Sequence, residues 1–409
     1  MPLLPPASGS QRTFLVAAAA FLLVAPFPSS AGWRVFFLLL AAAVLVWRRW
    51  RLDEAWGFAL LPRAFAVTAL AWSLLCVASL AWSVDPGYTL QELRRELLYD
   101  AIAFVVFFAG TRRAEELALW MRALIAAALV LGVCQWMHVL FPGSAWADSI
   151  SISPGPFATH IAMVVPLVAI AAWPRPDGLG WRLPVAIAVC VALLFLGLAG
   201  ESRILWVALI AAGLVAFALF VAGLARAGRA RALATRAFLA GLVLLIALMA
   251  LSTESKFSVY PGARSTYEML TLDERPLIWK IAAAKVEDAP LLGHGYGRDI
   301  VGDDMRRELQ RASVLPYNHA HSVFLDVALQ LGGVGLAIFL AMMGALAVAL
   351  FAGRRSAAGM PLAIAGLALM TAYAFKNVTD DFYFRTNSLL FWAVMGMMLG
   401  RAARARQEP

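Results

Sequence analysis

The stretch 317–322 (YNHAHS) holds two histidines directly before a long apolar run. We predict that His321 lies in the first turn of a membrane helix, where the positive end of the helix dipole disfavours imidazolium. A neutral imidazole can accept a proton, as a general base must do at neutral pH. The alternative is a histidine at headgroup level that takes part in no reaction, and the residues alone leave both interpretations open.

His319 and His321 together also raise the question of a metal site. Two residues apart, the two rings share a face only in an extended segment, because in a helix they point about 200° apart. No cysteine and no obvious third carboxylate lies nearby in the sequence. More distant acids could reach the pair: Asp303, Asp304, Asp380 and Asp381. We expect no metal and no other cofactor, and a metal site is the alternative.

Arginines form the second group of candidates. Arg203 opens a predicted helix after a very short turn, and a lone arginine in hydrocarbon costs at least about 2.5–3.5 kcal/mol, so it should face a cavity or a partner such as Glu201. Arg275 opens another helix, where a solvated charge is the alternative. Two converging guanidinium groups would hold a diphosphate through bidentate hydrogen bonds. Arg94 and Arg95 are candidates for anionic headgroups, with snorkelling to the interface as the alternative.

The composition indicates what must position these residues. Of 409 residues, 62% are hydrophobic and 14% charged, and the mean hydropathy is +0.78, which excludes a water-soluble protein. The net charge of +9 is scattered between apolar runs, as in topology signals and not as in a nucleic-acid-binding face. Cys76, Cys134 and Cys190 all lie in apolar runs and predict no disulfide framework.

Apolar runs long enough for membrane helices, about 20 residues each, predict an all-α polytopic membrane protein. About twelve runs qualify: 13–28, 32–47, 57–82, 97–110, 117–141, 157–173, 182–199, 203–223, 236–252, 321–351, 360–376 and 386–400. We therefore divide the chain into residues 1–252 with transmembrane helices 1–9, a polar helical loop at 253–320, and residues 321–409 with helices 10–12 and a short tail.

Short loops set the orientation of these helices. Arginines cluster on one set of loops, which the positive-inside rule assigns to the cytoplasm with both termini: residues 48–51, 112–113, 175, 226–236, 354–355 and 401–406. The loop 253–320 then lies outside, in the periplasm of a bacterium. Within it we predict helices over 276–288 and 303–313, separated by the glycine-rich stretch 291–297.

The junction at residues 321–335 resembles the O-antigen ligase and polymerase superfamily of bacterial membrane glycosyltransferases. The family signature is a histidine, then Asn, Ser or Gln, nine residues, a glycine, two residues and a small or polar residue. His321-Ser322, Gly332 and Gly335 fit it. Three further features resemble the family: the pair Ser202-Arg203, the spacing Arg275-x-x-x-Trp279, and the stretch 290–295 (PLLGHG). His319 is a position at which relatives vary.

The resemblance implies a glycosyltransferase of GT-C-like fold in the bacterial inner membrane, with its active site on the periplasmic side. Such an enzyme transfers a glycan from undecaprenyl diphosphate to an acceptor hydroxyl, which in the ligase branch belongs to the lipid A–core oligosaccharide. We assign His321 as the general base, and Arg203 and Arg275 as ligands of the diphosphate. Further candidate substrate contacts are His319, Arg94, Arg95, Tyr317 and Asn318.

Three alternatives remain at this point. An O-antigen polymerase joins glycan repeats to each other, and a protein O-oligosaccharyltransferase modifies Ser or Thr; both belong to the same superfamily. A lipid or glycolipid transporter is the alternative of another class. A transporter would show charges and glycine-broken helices at mid-membrane depth in related halves, whereas the polar residues here gather at one outer boundary.

Overall fold

A computed structural model describes residues 9–171, 182–223, 228–257, 273–312, 315–356 and 358–407. The described part consists of helices joined by turns and loops and contains no strand. Its α-helices are α1 Gly9–Val24, α2 Ala31–Leu52, α3 Arg63–Ala78, α4 Pro86–Glu92, α5 Tyr99–Gly110, α6 Ala114–Leu140, α7 Ala145–Ile150, α8 Pro154–Ala171, α9 Arg182–Gly197, α10 Arg203–Gly223, α11 Gly228–Phe257, α12 Arg275–Asp288, α13 Gly302–Arg311, α14 Val323–Gly353, α15 Met360–Lys376 and α16 Arg385–Ala405.

A helix lies on every apolar run that the sequence analysis selected. Among the described residues, seven helices are long and apolar enough to cross a membrane: Ala31–Leu52, Arg63–Ala81, Ala114–Leu140, Leu183–Gly200, Arg203–Gly223, Ala232–Glu254 and Val323–Gly353. Three further apolar helices are shorter: Gly9–Val24, Pro154–Val168 and Met360–Lys376. These helices make the chain a multi-pass membrane protein, while the count of twelve spans and the GT-C-like arrangement stay predictions. Of the predicted loop 253–320, residues 258–272 and 313–314 lie outside the described part.

Helix α16 forms the centre of the bundle and is buried along most of its length. It packs closely on α5 because Gly396 and Gly400, one turn apart, leave no side chain between the two backbones. A methyl group at either position would overlap a backbone carbonyl of α5, that of Phe104 or that of Phe108. Small residues at this spacing are a common means of close helix contact in membranes.

The two ends of α16 differ in charge and in partners. At its C-terminal end, Arg404 donates to the carbonyl oxygens of Phe108 (2.9 Å) and Trp56 (3.2 Å). Arg404 belongs to the arginine cluster at residues 401–406. At its N-terminal end, the guanidinium of Arg385 pairs with the carboxylates of Glu92 and Glu96, each at 3.1 Å. The arginine clusters therefore lie at the end of the bundle opposite to Arg385.

Helix α14 is broken inside its apolar run at Gly332, whose φ of 65° and ψ of −165° are accessible almost only to glycine. The break prevents the usual helical hydrogen bonds across it, and the glycine-rich stretch 290–295 takes their place. Four backbone hydrogen bonds join the two segments: Gly333 N–H to Pro290 O (2.8 Å), Val334 N–H to Leu291 O (3.2 Å), His294 N–H to Leu329 O (3.0 Å) and Gly295 N–H to Gln330 O (2.9 Å). The loop is thereby fastened to the helix that follows His321.

Replacing Gly332 with alanine is expected to lower the stability of the protein. The new methyl group would force a strained backbone at a cost of about 1–3 kcal/mol, and it would overlap the backbone of Leu291. The melting temperature of the detergent-solubilised protein measures the effect. Gly344→Ala, in the same helix, is the matched control because its methyl group meets no atom within 4 Å. Equal melting temperatures for the two variants would contradict the proposed need for glycine at Gly332.

Candidate active site

His321 lies in a turn just before α14, where φ of the histidine is 50°, in the left-handed region. The prediction that it occupies the first helical turn is wrong by two residues, because α14 begins at Val323. Two backbone hydrogen bonds hold the turn: Ala320 N–H donates to Oδ1 of Asp326 (2.8 Å), and Val323 N–H donates to the carbonyl of Asn377 (3.0 Å). Asp326 is 1% exposed and lies inside the bundle.

Asp380, in the short loop between α15 and α16, joins three cationic or ionisable groups. Its Oδ2 accepts from Nζ of Lys376 at 2.8 Å, while Oδ1 lies 3.4 Å from Nδ1 of His321 and 3.4 Å from a terminal nitrogen of Arg275. Burial by itself would raise the pKa of Asp380. Lys376, the nearby imidazole of His321 and the charge of Arg275 outweigh burial and hold that pKa well below its ordinary value. Asp380 is therefore a stable carboxylate beside the imidazole.

Sequence reasoning considered Asp380 only as a distant metal ligand and missed it as the partner of His321. A signal was present, because Lys376 stands in an apolar helix four residues before Asp380. A lysine in such a helix needs a counter-charge, and Asp380 and Asp381 are the nearest acids in the sequence. In the structure Lys376 is fully buried, at 0% exposure.

A cavity of about 720 Å³ opens beside this cluster. Its charged lining residues are two arginines and three acids: Arg203, Arg275, Glu201, Asp273 and Asp380. Apolar residues complete the lining, among them Pro154, Ile204, Val207, Trp279 and Phe382. The structure thus brings both predicted arginines to one cavity from separate helices, α10 and α12. The two guanidinium groups can each bind an anion, and the apolar residues can contact a hydrocarbon chain.

Arg275 is fixed by two carboxylates. It donates to Asp273 from its backbone N–H and from a terminal nitrogen, both at 2.9 Å, and to Asp380 at 3.4 Å. Burial alone would lower the pKa of Arg275, but the charges of Asp380 and Asp273 raise it. Its Nε has no hydrogen-bond partner among the described residues. A guanidinium group has five N–H donors, and these side-chain contacts use one on each terminal nitrogen, so Arg275 keeps donors for a further oxygen ligand.

The remaining candidates divide into two groups. The rings of Tyr317 and His319 both contact the ring of His321, whereas Asn318 accepts a hydrogen bond from Arg306 Nε at 3.0 Å. Arg94 and Arg95 are exposed on a π-helical turn over Leu93–Leu98, and neither is among the described residues that line the cavity. Tyr317 and His319 therefore contact His321, and Asn318 belongs to the same loop.

A second layer of polar residues supports the turn at His321. Asp381 pairs with Nε of Arg298 at 3.1 Å, and the Arg298 guanidinium lies 4.5 Å from the ring centre of Phe384. Gln330 accepts a hydrogen bond from the Gly297 N–H at 3.0 Å.

Within the described part of the chain, no group of three or more His, Cys, Asp and Glu side chains is placed to hold a metal ion.

The comparison with known protein families agrees with this arrangement. The family model described as O-antigen ligase matches residues 186–340, which run from α9 into α14. The matched stretch contains Arg203, Arg275, His321 and Gly332, while Asp380 lies beyond it. No curated protein matches the chain. Residues 186–340 are therefore similar to the O-antigen ligase family, which supports the resemblance predicted from the motifs around His321.

Proposed function

We propose that the protein is an O-antigen ligase, which transfers a glycan from undecaprenyl diphosphate to a hydroxyl of the lipid A–core oligosaccharide. The observation that carries this proposal is a cavity lined by Arg203, Arg275 and Asp380, with the imidazole of His321 3.4 Å from the Asp380 carboxylate. A lipid-linked diphosphate has the charge and the apolar chain that such a cavity accommodates. The similarity of residues 186–340 to the O-antigen ligase family supports the same choice.

In the proposed reaction His321 is the general base. Its two ring nitrogens are buried without a hydrogen-bond partner among the described residues; Nδ1 lies 3.4 Å from Asp380, and we assign Nε2 to the acceptor. The acceptor hydroxyl gives its proton to Nε2 as its oxygen forms a bond to the anomeric carbon of the donor glycan. The bond from that carbon to the diphosphate oxygen breaks, and the diphosphate leaves with the electron pair. The Asp380 carboxylate stabilises the imidazolium that results.

The arginines stabilise the leaving group. Negative charge grows on the diphosphate as its bond to the sugar breaks, and fixed donors aimed at that charge lower the barrier by about 3 kcal/mol each. We propose this role for Arg203 and Arg275, so that the transfer needs no metal ion. The carboxylates of Asp273 and Asp380 are both bound to Arg275, which makes them poor nucleophiles. A single inverting displacement is therefore favoured over a covalent glycosyl intermediate.

The positive-inside rule supports a periplasmic site in the bacterial inner membrane. Arg385, next to the site-bearing loop 377–384, lies at the end of the bundle opposite to the arginine clusters around Arg404. Loops rich in arginine stay in the cytoplasm, which would put the cavity, with the lipid-linked donor and the acceptor, on the other side of the bilayer.

Deletion of the gene in its native host, followed by electrophoresis of lipopolysaccharide, tests the proposal. We expect core-only lipopolysaccharide, with polymeric glycan retained on its lipid carrier, and restoration by the wild-type gene. Core carrying a single repeat would identify an O-antigen polymerase instead. Normal ladders with loss of a glycan from periplasmic proteins would identify a protein O-oligosaccharyltransferase. Normal ladders without that loss would reject all three transferase assignments and direct attention to a transporter.

Arg275→Lys is expected to lower the rate of transfer by about tenfold or more. Lysine keeps the charge but lacks the planar fork, so one ammonium cannot serve Asp273, Asp380 and a phosphate oxygen together. Transfer in isolated membranes from lipid-linked glycan to lipid A–core measures the change. Arg307→Lys is the matched control, because Arg307 is 65% exposed on α13 and should retain full activity. Equal rates for both variants would contradict the diphosphate role of Arg275.

A further inference from the structure

The imidazole of His321 is enclosed by two other rings from its own loop. Tyr317 meets it edge to face, with ring centres 4.7 Å apart and planes at 86°. His319 packs against it with ring centres 4.2 Å apart and planes at 45°. Both ring nitrogens are buried and have no hydrogen-bond partner among the described residues, and the Asp380 carboxylate lies 3.4 Å from Nδ1.

The backbone of the loop holds both rings in place. Ala320, between the two histidines, is fully buried, and its N–H is bound by the Asp326 carboxylate at 2.8 Å. His321 itself has the left-handed φ of 50°, a conformation that costs a non-glycine residue free energy and persists only where surrounding contacts fix it. The contacts of His319 and Tyr317 on the ring belong to this fixation.

The charge state of His319 suits a packing partner. Burial is the main cause that lowers the pKa of His319 well below its ordinary value, and the nearby Arg298 guanidinium lowers it further. His319 is therefore uncharged at neutral pH. An uncharged ring at 4.2 Å does not oppose the positive charge that His321 acquires when it accepts a proton, whereas an imidazolium there would repel it.

We propose that His319 and Tyr317 are positioning residues that clamp the imidazole of His321, and that His319 contributes its ring and not its nitrogens. The proposal rests on the proposed function, in which His321 is the base. It differs from three other roles for His319, namely metal ligand, second base and hydrogen-bond donor to a sugar. Each of those roles needs a nitrogen atom.

Three substitutions of His319 in the full-length purified protein separate these roles. His319→Ala removes the ring and is expected to lower kcat by about tenfold to a hundredfold with little change in KM for the lipid-linked donor, because the base is misplaced and the diphosphate ligands are intact. His319→Gln keeps a nitrogen but loses the ring, and should resemble alanine. His319→Phe keeps a ring without nitrogen and should retain most of kcat.

Two results would overturn the clamp. One is a phenylalanine variant as inactive as the alanine variant, since a nitrogen would then be required; the other is an alanine variant with full kcat. If His319→Ala does not accumulate as folded protein, His319→Gln is compared with His319→Phe instead. A more active phenylalanine variant shows that the ring is needed, and a more active glutamine variant shows that a nitrogen is needed. Loss of activity in His321→Ala alongside a fully active His319→Ala would reject the clamp alone, whereas an active His321→Ala would reject the proposed function.

Discussion

We expect His321→Ala to abolish measurable glycan transfer. General bases contribute about a hundredfold to ten-thousandfold to the rate, and alanine leaves no group on the loop that can take the acceptor proton at the same position. The Asp380 carboxylate cannot replace the imidazole, because its low pKa makes it a weak base and Lys376 and Arg275 already bind it. Transfer from undecaprenyl diphosphate-linked glycan to lipid A–core by purified enzyme is the measurement.

The effect must come from chemistry and not from a lost fold. His321 is partly exposed, at 18% of its side chain, so its truncation leaves a small cavity at the surface of the bundle and the melting temperature should change little. His138→Ala is the matched control, because His138 lies at the end of α6, pairs with Asp148 at 2.8 Å and is 41% exposed. We expect full activity from that variant. Wild-type rates in His321→Ala would remove the general base from the mechanism.

The helices of this protein were predictable from the sequence because lipid imposes a simple pattern. Each spanning segment must satisfy its backbone internally and present apolar side chains, so a run such as 203–223 coincides with α10 to the residue. The two loop helices were also predicted closely, at 276–288 and 303–313 against Arg275–Asp288 and Gly302–Arg311. The glycosyltransferase family followed from the spacing of His321 and Gly332, and the family match agrees with it.

Contacts between distant segments were not predictable in the same way. The partnership of Asp380 with His321 depends on how two loops meet, and hydropathy carries no information about that. The glycine spacing identified Gly332, but it did not predict that the helix is broken there. It also did not predict that backbone groups on both sides of the break form hydrogen bonds with the stretch 290–295. The turn at His321 was mispredicted because its left-handed backbone ends the loop two residues before α14 begins.

Asp380→Asn is the second variant for which we expect a large effect, on stability as well as on activity. Lys376 is fully buried and its ammonium has Asp380 as its carboxylate partner, so the neutral amide would leave a buried charge without compensation. Breaking a buried ion pair in this way costs about 3–5 kcal/mol. Transfer should also fail, because His321 loses the carboxylate beside Nδ1 and Arg275 loses one of its two anchors. Melting temperature in detergent and the transfer rate measure the two effects.

The double variant Asp380→Asn with Lys376→Met separates the two roles of this carboxylate. Methionine fills the volume of the lysine chain without its charge and suits the neighbouring Phe382 ring, which lies 4.6 Å from Nζ of Lys376. The melting temperature should therefore recover most of its loss, while transfer should remain defective because neither His321 nor Arg275 regains a carboxylate. Recovery of transfer together with stability would mean that Asp380 serves only to neutralise Lys376, and that the base acts without a carboxylate at Nδ1.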